Sequence, residues 1–138
     1  NFEFKSYETS LDVKDFDTSF VKGLSFEDGC ATLTKFTAYL IADGLRKINK
    51  QNNINPHHYI ICGGGRKNKS LMQSIENYLV NKNIIIKDID DYNFDGNFIE
   101  SQAFAYLAIR SYLKLPISFP STTRSKKAIS GGDILQNF

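Results

Sequence analysis

From Ser25 onward the apolar positions Cys30, Leu33, Phe36, Leu40, Ile41, Leu45 and Ile48 recur at helical spacing and predict one long helix. Ser25-Phe26-Glu27-Asp28 opens it with capping spacing, its two carboxylates facing the positive end of the helix dipole. The polar cluster from Asn49 to Pro56 closes it. Tyr59 to Cys62 is short, continuous and apolar. Periodicity alone would also suit a buried helical turn, but the flanking Pro56 and glycines decide for a strand buried on both faces of a sheet. Asn68 then suits the N-cap of a helix with Leu71, Met72, Ile75 and Leu79 on one side, and Ile84-Ile85-Ile86 is a second buried strand, completing a βαβ unit. Asp88 to Asn97 is an acidic loop. A third helix follows from about Phe98 to Leu113, so short of polar positions that it is expected to be largely buried, with Pro116 and Pro120 ending it. Residues 1–24 are expected to form a connecting arm with little core, and residues 25–138 the folded part; there is no internal repeat.

The 138 residues, 41% hydrophobic and 13% aromatic, suffice for one α/β domain with a core of its own. A net charge of +2 and scattered Lys and Arg leave no nucleic-acid footprint, so Arg124-Ser125-Lys126-Lys127 is taken as a solvated patch. Cys30 and Cys62 lie within apolar segments and are expected as small buried hydrophobes, which fits a reducing, cytoplasmic compartment. No apolar run reaches the length of a membrane span, and the start lacks a signal-peptide core. Because the chain begins at Asn, it is expected to be a piece of a longer protein.

The chemistry centres on Cys62-Gly63-Gly64-Gly65-Arg66-Lys67-Asn68. Backbone without Cβ atoms at the end of a buried strand is where α/β proteins let phosphates approach. Gly63 to Ser70 fits the P-loop pattern except that Asn68 replaces its last glycine. Gly63-x-Gly65-x-x-Asn68 misses the dinucleotide fingerprint at the same position, with Asp88 about where a ribose-binding carboxylate belongs. A plain tight turn also accounts for the glycines. Asp91-x-Asn93-x-Asp95-Gly96 copies half of a calcium loop, but Gln102 stands where the bidentate glutamate is required. His57 and His58, adjacent at a strand start, point to opposite faces and are not taken as metal ligands. Glu100 lies in the first turn of the third helix, where the dipole favours a carboxylate; partial burial would make it an orienting base or a ligand for sugar hydroxyls.

Three segments taken together carry a resemblance: Leu24-Ser25-x-Glu27-Asp28-Gly29-x-Ala31-Thr32-Leu33-Thr34-x-Phe36-Thr37-Ala38, then Cys62-Gly63-Gly64-Gly65-x-x-Asn68-x-x-Leu71-Met72, then Glu100-x-Gln102-Ala103-Phe104-Ala105-x-Leu107-Ala108 with Leu115-Pro116. In this order they resemble the C-terminal part of the anhydro-N-acetylmuramic acid kinases. Lys5-Ser6, Ser10-Leu11-Asp12, Pro120-Ser121-Thr122-Thr123 and Gly131-Gly132 extend the likeness over nearly the whole chain.

The resemblance implies one lobe of an actin-like, ribonuclease H-like ATPase fold, a sheet with packed helices. It implies an ATP- and Mg²⁺-dependent cytoplasmic kinase acting on 1,6-anhydro-N-acetylmuramic acid from peptidoglycan. Water opens the anhydro bridge while the sugar 6-oxygen receives the γ-phosphoryl group. Members have two lobes and are typically dimers. By this analogy Gly63, Gly64 and Gly65 line the nucleotide site with Asn68 capping the helix behind them, Glu100 supports the catalytic aspartate and attacking water, and Thr32 and Thr34 lie on a helix bordering the cleft. The family's Gly-Thr-Ser-x-Asp-Gly phosphate loop and catalytic aspartate have no counterpart in these residues. The chain is therefore expected to hold one wall of the site and to need the missing N-terminal lobe for catalysis. Tyr7-Glu8-Thr9 departs from the family pattern. Two alternatives stand beside this reading: a non-catalytic nucleotide-binding or assembly fragment, and a Rossmann-like dinucleotide-binding domain that uses Asp88.

Overall fold

The computed structural model describes residues 15–52, 57–80 and 83–135. The expectations placed on Lys5-Ser6 and on the segment around Ser10-Leu11-Asp12 lie outside these residues. Contacts divide the chain into two units, one formed by Asp12–Asn97 and the other containing the segment from Phe98 onward.

The first unit is mixed α/β, in the order α1 (Phe26–Asn52), β1 (His57–Ile61), α2 (Lys69–Leu79) and β2 (Ile84–Asp88). Ser25 starts α1 as expected: its Oγ accepts the Asp28 N–H at 3.1 Å and donates to Asp28 Oδ2 at 2.9 Å. The helix runs past Asn49 to Asn52, since Lys50 and Gln51 are good helix formers despite their polarity. In the described part of the arm, a 3₁₀ turn at Ser19–Val21 holds no buried residue, and Phe20 meets Phe36 of α1 edge-on at 5.1 Å.

Parallel pairing of β1 with β2 sets Tyr59 opposite Ile86 and Ile61 opposite Asp88, which is the βαβ unit expected from the sequence. The core is small. Ala38 and Ala42, one helical turn apart on α1, let α2 approach closely, and they pack with Ile75 and Leu79. Ile84 and Ile86 close this core from the sheet side. The expectation that both strands are buried on both faces is corrected. One face lies on the helices, while Ile60 and Ile85, on the other, remain 52% and 41% exposed. A parallel sheet needs a layer on each face, and the described residues of this unit supply one. Cys30 and Cys62 are likewise exposed instead of buried. Full burial on α1 begins only at Ala38, two turns beyond Cys30, and Cys62 has already left the strand.

In the second unit, α3 (Ile99–Tyr112) is followed by an extended strap and by α4 (Pro120–Thr123). The helix does not wait for Pro116. It ends at Tyr112, where Lys114 turns left-handed (φ 57°) and the Leu115 N–H reaches back to the Arg110 carbonyl at 2.8 Å; Pro120 opens α4 instead of ending α3. Arg110 holds the strap, donating through Nε to the Pro116 carbonyl at 2.7 Å and lying over the Tyr106 and Phe119 rings. Ser118 and Ile129 pair as an antiparallel bridge, and the Ser111 hydroxyl donates to the Gly131 carbonyl. The expected burial of α3 is corrected too: no residue of it is buried, and Phe104, Ile109 and Tyr112 are 60% or more exposed. The described residues of this unit supply one short helix and one strap, too little to enclose a helix that is apolar nearly all round. No described helix of either unit is long and apolar enough to cross a membrane.

Candidate functional site

Where β1 ends, the chain turns on Gly63, whose φ of +84° only glycine adopts without strain. Gly64–Lys67 forms a single 3₁₀ turn, and Asn68 closes it with its N–H on the Gly65 carbonyl at 3.0 Å. Asn68 then caps α2, its Oδ1 accepting the Leu71 N–H at 3.1 Å. The opening N–H groups of a helical turn have no partner within it. Here they belong to Gly64 and Gly65, both exposed, and a Cβ on Gly64 would meet nothing within 4 Å. Gly63, Gly64, Gly65 and Asn68 thus belong to one turn that joins the end of β1 to the start of α2. Removing the cap by Asn68→Ala is expected to destabilise this unit by about 1 kcal/mol, measured by urea unfolding; no change would mean that α2 starts without it.

Beside the turn lies an open groove of ≈ 430 Å³, lined by Cys30, Ala31, Thr34 and Lys35 of α1 and by Asn68, Ser70 and Ser74. The hydroxyls of Thr34 and Ser74 donate back to the Cys30 and Ser70 carbonyls at 2.8 and 2.7 Å. Their free lone pairs, with the Lys35 ammonium, leave the groove able to meet donors and anions. Thr34 lines this groove, and Thr32 is not among its lining residues. Among the described residues no three His, Cys, Asp or Glu side chains converge as a metal site.

Behind the turn stands Arg66, to which the motifs above assign no role. Its side chain is buried, donating through Nε to Asp88 Oδ1 at 3.1 Å, through Nη1 to the Gly63 carbonyl at 3.1 Å, and through Nη2 to Asp90 Oδ2 at 2.8 Å. Asp90 also accepts the Gly96 N–H at 2.7 Å. The Arg66 guanidinium first, and that N–H second, hold the Asp90 carboxyl below the usual carboxylate range. Asp88, considered above as a ribose ligand, has its Oδ1 engaged by Arg66 and by the Asp90 N–H. The signal for Arg66 was present: a parallel βαβ unit sets the ends of both strands side by side, so a cation after β1 faces acids after β2.

Glu100 belongs to the other unit, in the first turn of α3, and is exposed; the partial burial considered for it is absent.

A family model described as anhydro-N-acetylmuramic acid kinase matches residues 3–137. The chain is similar to the anhydro-N-acetylmuramic acid kinase of Pelagibacter ubique (strain HTCC1062), 58% identical over 130 residues, covering 94% of this chain and 34% of that protein. The enzymes of the same name from Caulobacter vibrioides and Zymomonas mobilis are 40% and 39% identical, each over 91% of this chain and 32% of their own lengths. The chain thus spans about a third of the curated relatives it matches. With a match running almost end to end and through the glycine turn itself, the chain belongs to the anhydro-N-acetylmuramic acid kinase family.

Proposed function

We propose that this chain is the C-terminal, nucleotide-side lobe of a two-lobed kinase of the actin-like fold, with residues 1–24 as its connecting arm. The kinase uses ATP with Mg²⁺ to hydrolyse and phosphorylate 1,6-anhydro-N-acetylmuramic acid, giving N-acetylmuramic acid 6-phosphate in the cytoplasm. The observation that carries this is the glycine turn: Gly64 and Gly65 exposed, open space where a Cβ on Gly64 would stand, and a capped helix behind. Gly63, Gly64 and Gly65 approach the nucleotide through their backbone, and Asn68 keeps α2 pointed at it. When bound with the nucleotide, Mg²⁺ would neutralise charge on the phosphates during transfer. Glu100 orients the attacking water and the catalytic aspartate supplied by the N-terminal lobe, and the whole enzyme works as a homodimer.

The test is phosphate transfer from labelled ATP to the anhydro sugar, by this chain alone and after mixing with the N-terminal two thirds of the Pelagibacter ubique enzyme. Activity in the mixture alone supports a lobe that needs its partner. No activity with both parts folded points to a non-catalytic fragment. In the active mixture Glu100→Gln is expected to leave ATP binding unchanged and to lower turnover by about a hundredfold, within the range for a lost acid or base contribution. Unchanged turnover would leave Glu100 only its place at the helix dipole.

A further inference from the structure

Arg66 is the one buried charged side chain among the described residues, and nothing in the proposed function uses it. Removing a guanidinium from water costs desolvation that ion pairs alone rarely repay. Its contacts run two ways: one returns to the glycine turn, and the others cross to Asp88 at the end of β2 and to Asp90 just beyond it. The Gly63 carbonyl receives Nη1, Asp88 receives Nε, and both oxygens of Asp90 receive Nη2, at 3.1 and 2.8 Å. Gly96 completes the seat. A Cβ there would lie 2.6 Å from Cζ and 2.7 Å from Nε and Nη2. The backbone at Gly96 is not left-handed, so it is the guanidinium that requires glycine at this position.

We propose that Arg66 is the positioning residue of the glycine turn, setting the direction of the N–H groups that meet the nucleotide. The inference rests on the nucleotide reading of that turn. Its physical basis is the trans peptide unit. The Gly63 carbonyl and the Gly64 N–H share one plane and point opposite ways. Holding that carbonyl inward on Arg66 holds the Gly64 N–H outward, toward the open side where Gly64 carries no Cβ. The seat is prepared in advance, because Asp88 and Asp90 are themselves fixed by the N–H groups of Asp90 and Gly96. Preorganised donors of this kind strengthen anion binding without reorganising when the ligand arrives.

The experiment uses a full-length chimera in which this chain replaces the matching region of the Pelagibacter ubique kinase. Arg66→Lys keeps the charge but gives up the planar fork, so one ammonium cannot hold the Gly63 carbonyl and both carboxylates together. The expected result is a rise of about tenfold in KM for ATP. Both kcat at saturating ATP and KM for the sugar should change by less than about twofold. Gly96→Ala crowds the guanidinium without removing it and should raise KM for ATP in the same way. Combined with Arg66→Lys it should add nothing further, because both act through one contact. A brace that merely holds the strands together would reduce folded enzyme, and so apparent kcat, at unchanged KM for ATP. That result overturns the proposal, as does full additivity of the two substitutions. If Arg66→Lys does not fold, Gly96→Ala alone decides between these results. A folded, unsubstituted chimera with no saturable dependence on ATP would sink the nucleotide reading, and this inference with it.

Discussion

Gly64→Val is expected to abolish nucleotide binding and leave the fold of residues 12–97 intact. Gly64 lies on the outer side of the turn with open space where a Cβ would point, and its φ is not among the positive ones, so valine fits without strain. Its methyl groups would occupy the approach to the N–H groups of Gly64 and Gly65. Losing two hydrogen bonds to a charged ligand corresponds to a fall in affinity of about a hundredfold or more. ATP titration of the purified chain beside thermal unfolding checks both halves. Gly63→Val is the contrast, since a branched residue at φ +84° strains the backbone and should lower stability itself. A folded Gly64→Val protein with unchanged affinity would remove the glycine turn from the nucleotide site.

Ile75→Ala should have the largest effect on stability, about 3 kcal/mol from lost burial and the cavity left behind. Ile75 is fully buried between α1 and α2, against Ala38 and Ala42, whose small side chains cannot swing in to fill the space. Few other residues in this unit are buried as deeply. A loss of this size is a large share of the 5–15 kcal/mol by which domains are held folded. Urea unfolding of the chain measures it; a change under about 1 kcal/mol would mean that the α1–α2 contact is not what holds the unit together.

Local signals were legible in the chain, and distant ones were not. The Ser25 cap, the Asn68 cap and the order of strand, glycine turn, helix and strand depend on residues within a few positions of one another, and each appears where its chemistry puts it. Burial was misjudged wherever apolar composition had to stand for a neighbour. The open face at Ile60 and Ile85, the exposed α3 and the exposed Cys30 are all apolar positions without a covering layer among the described residues of their own unit. At the candidate site, the glycines and Asn68 could be picked out because they are adjacent. The seat of Arg66 is only half legible: the βαβ unit brings a cation after β1 toward Asp88 and Asp90, but nothing local in the sequence brings Gly96 against it.

The distance along the chain between Arg66 and its acids also sets an order of events during synthesis. Asp88 and Asp90 are 22 and 24 residues downstream of Arg66. At ribosomal speeds of about 5–20 residues per second, the glycines emerge about one to five seconds before the carboxylates. During that interval Arg66 is already beside the Gly63 carbonyl but has neither carboxylate to hold it there. If the turn meets a nucleotide as proposed above, its full grip waits until β2 has been made and has paired with β1.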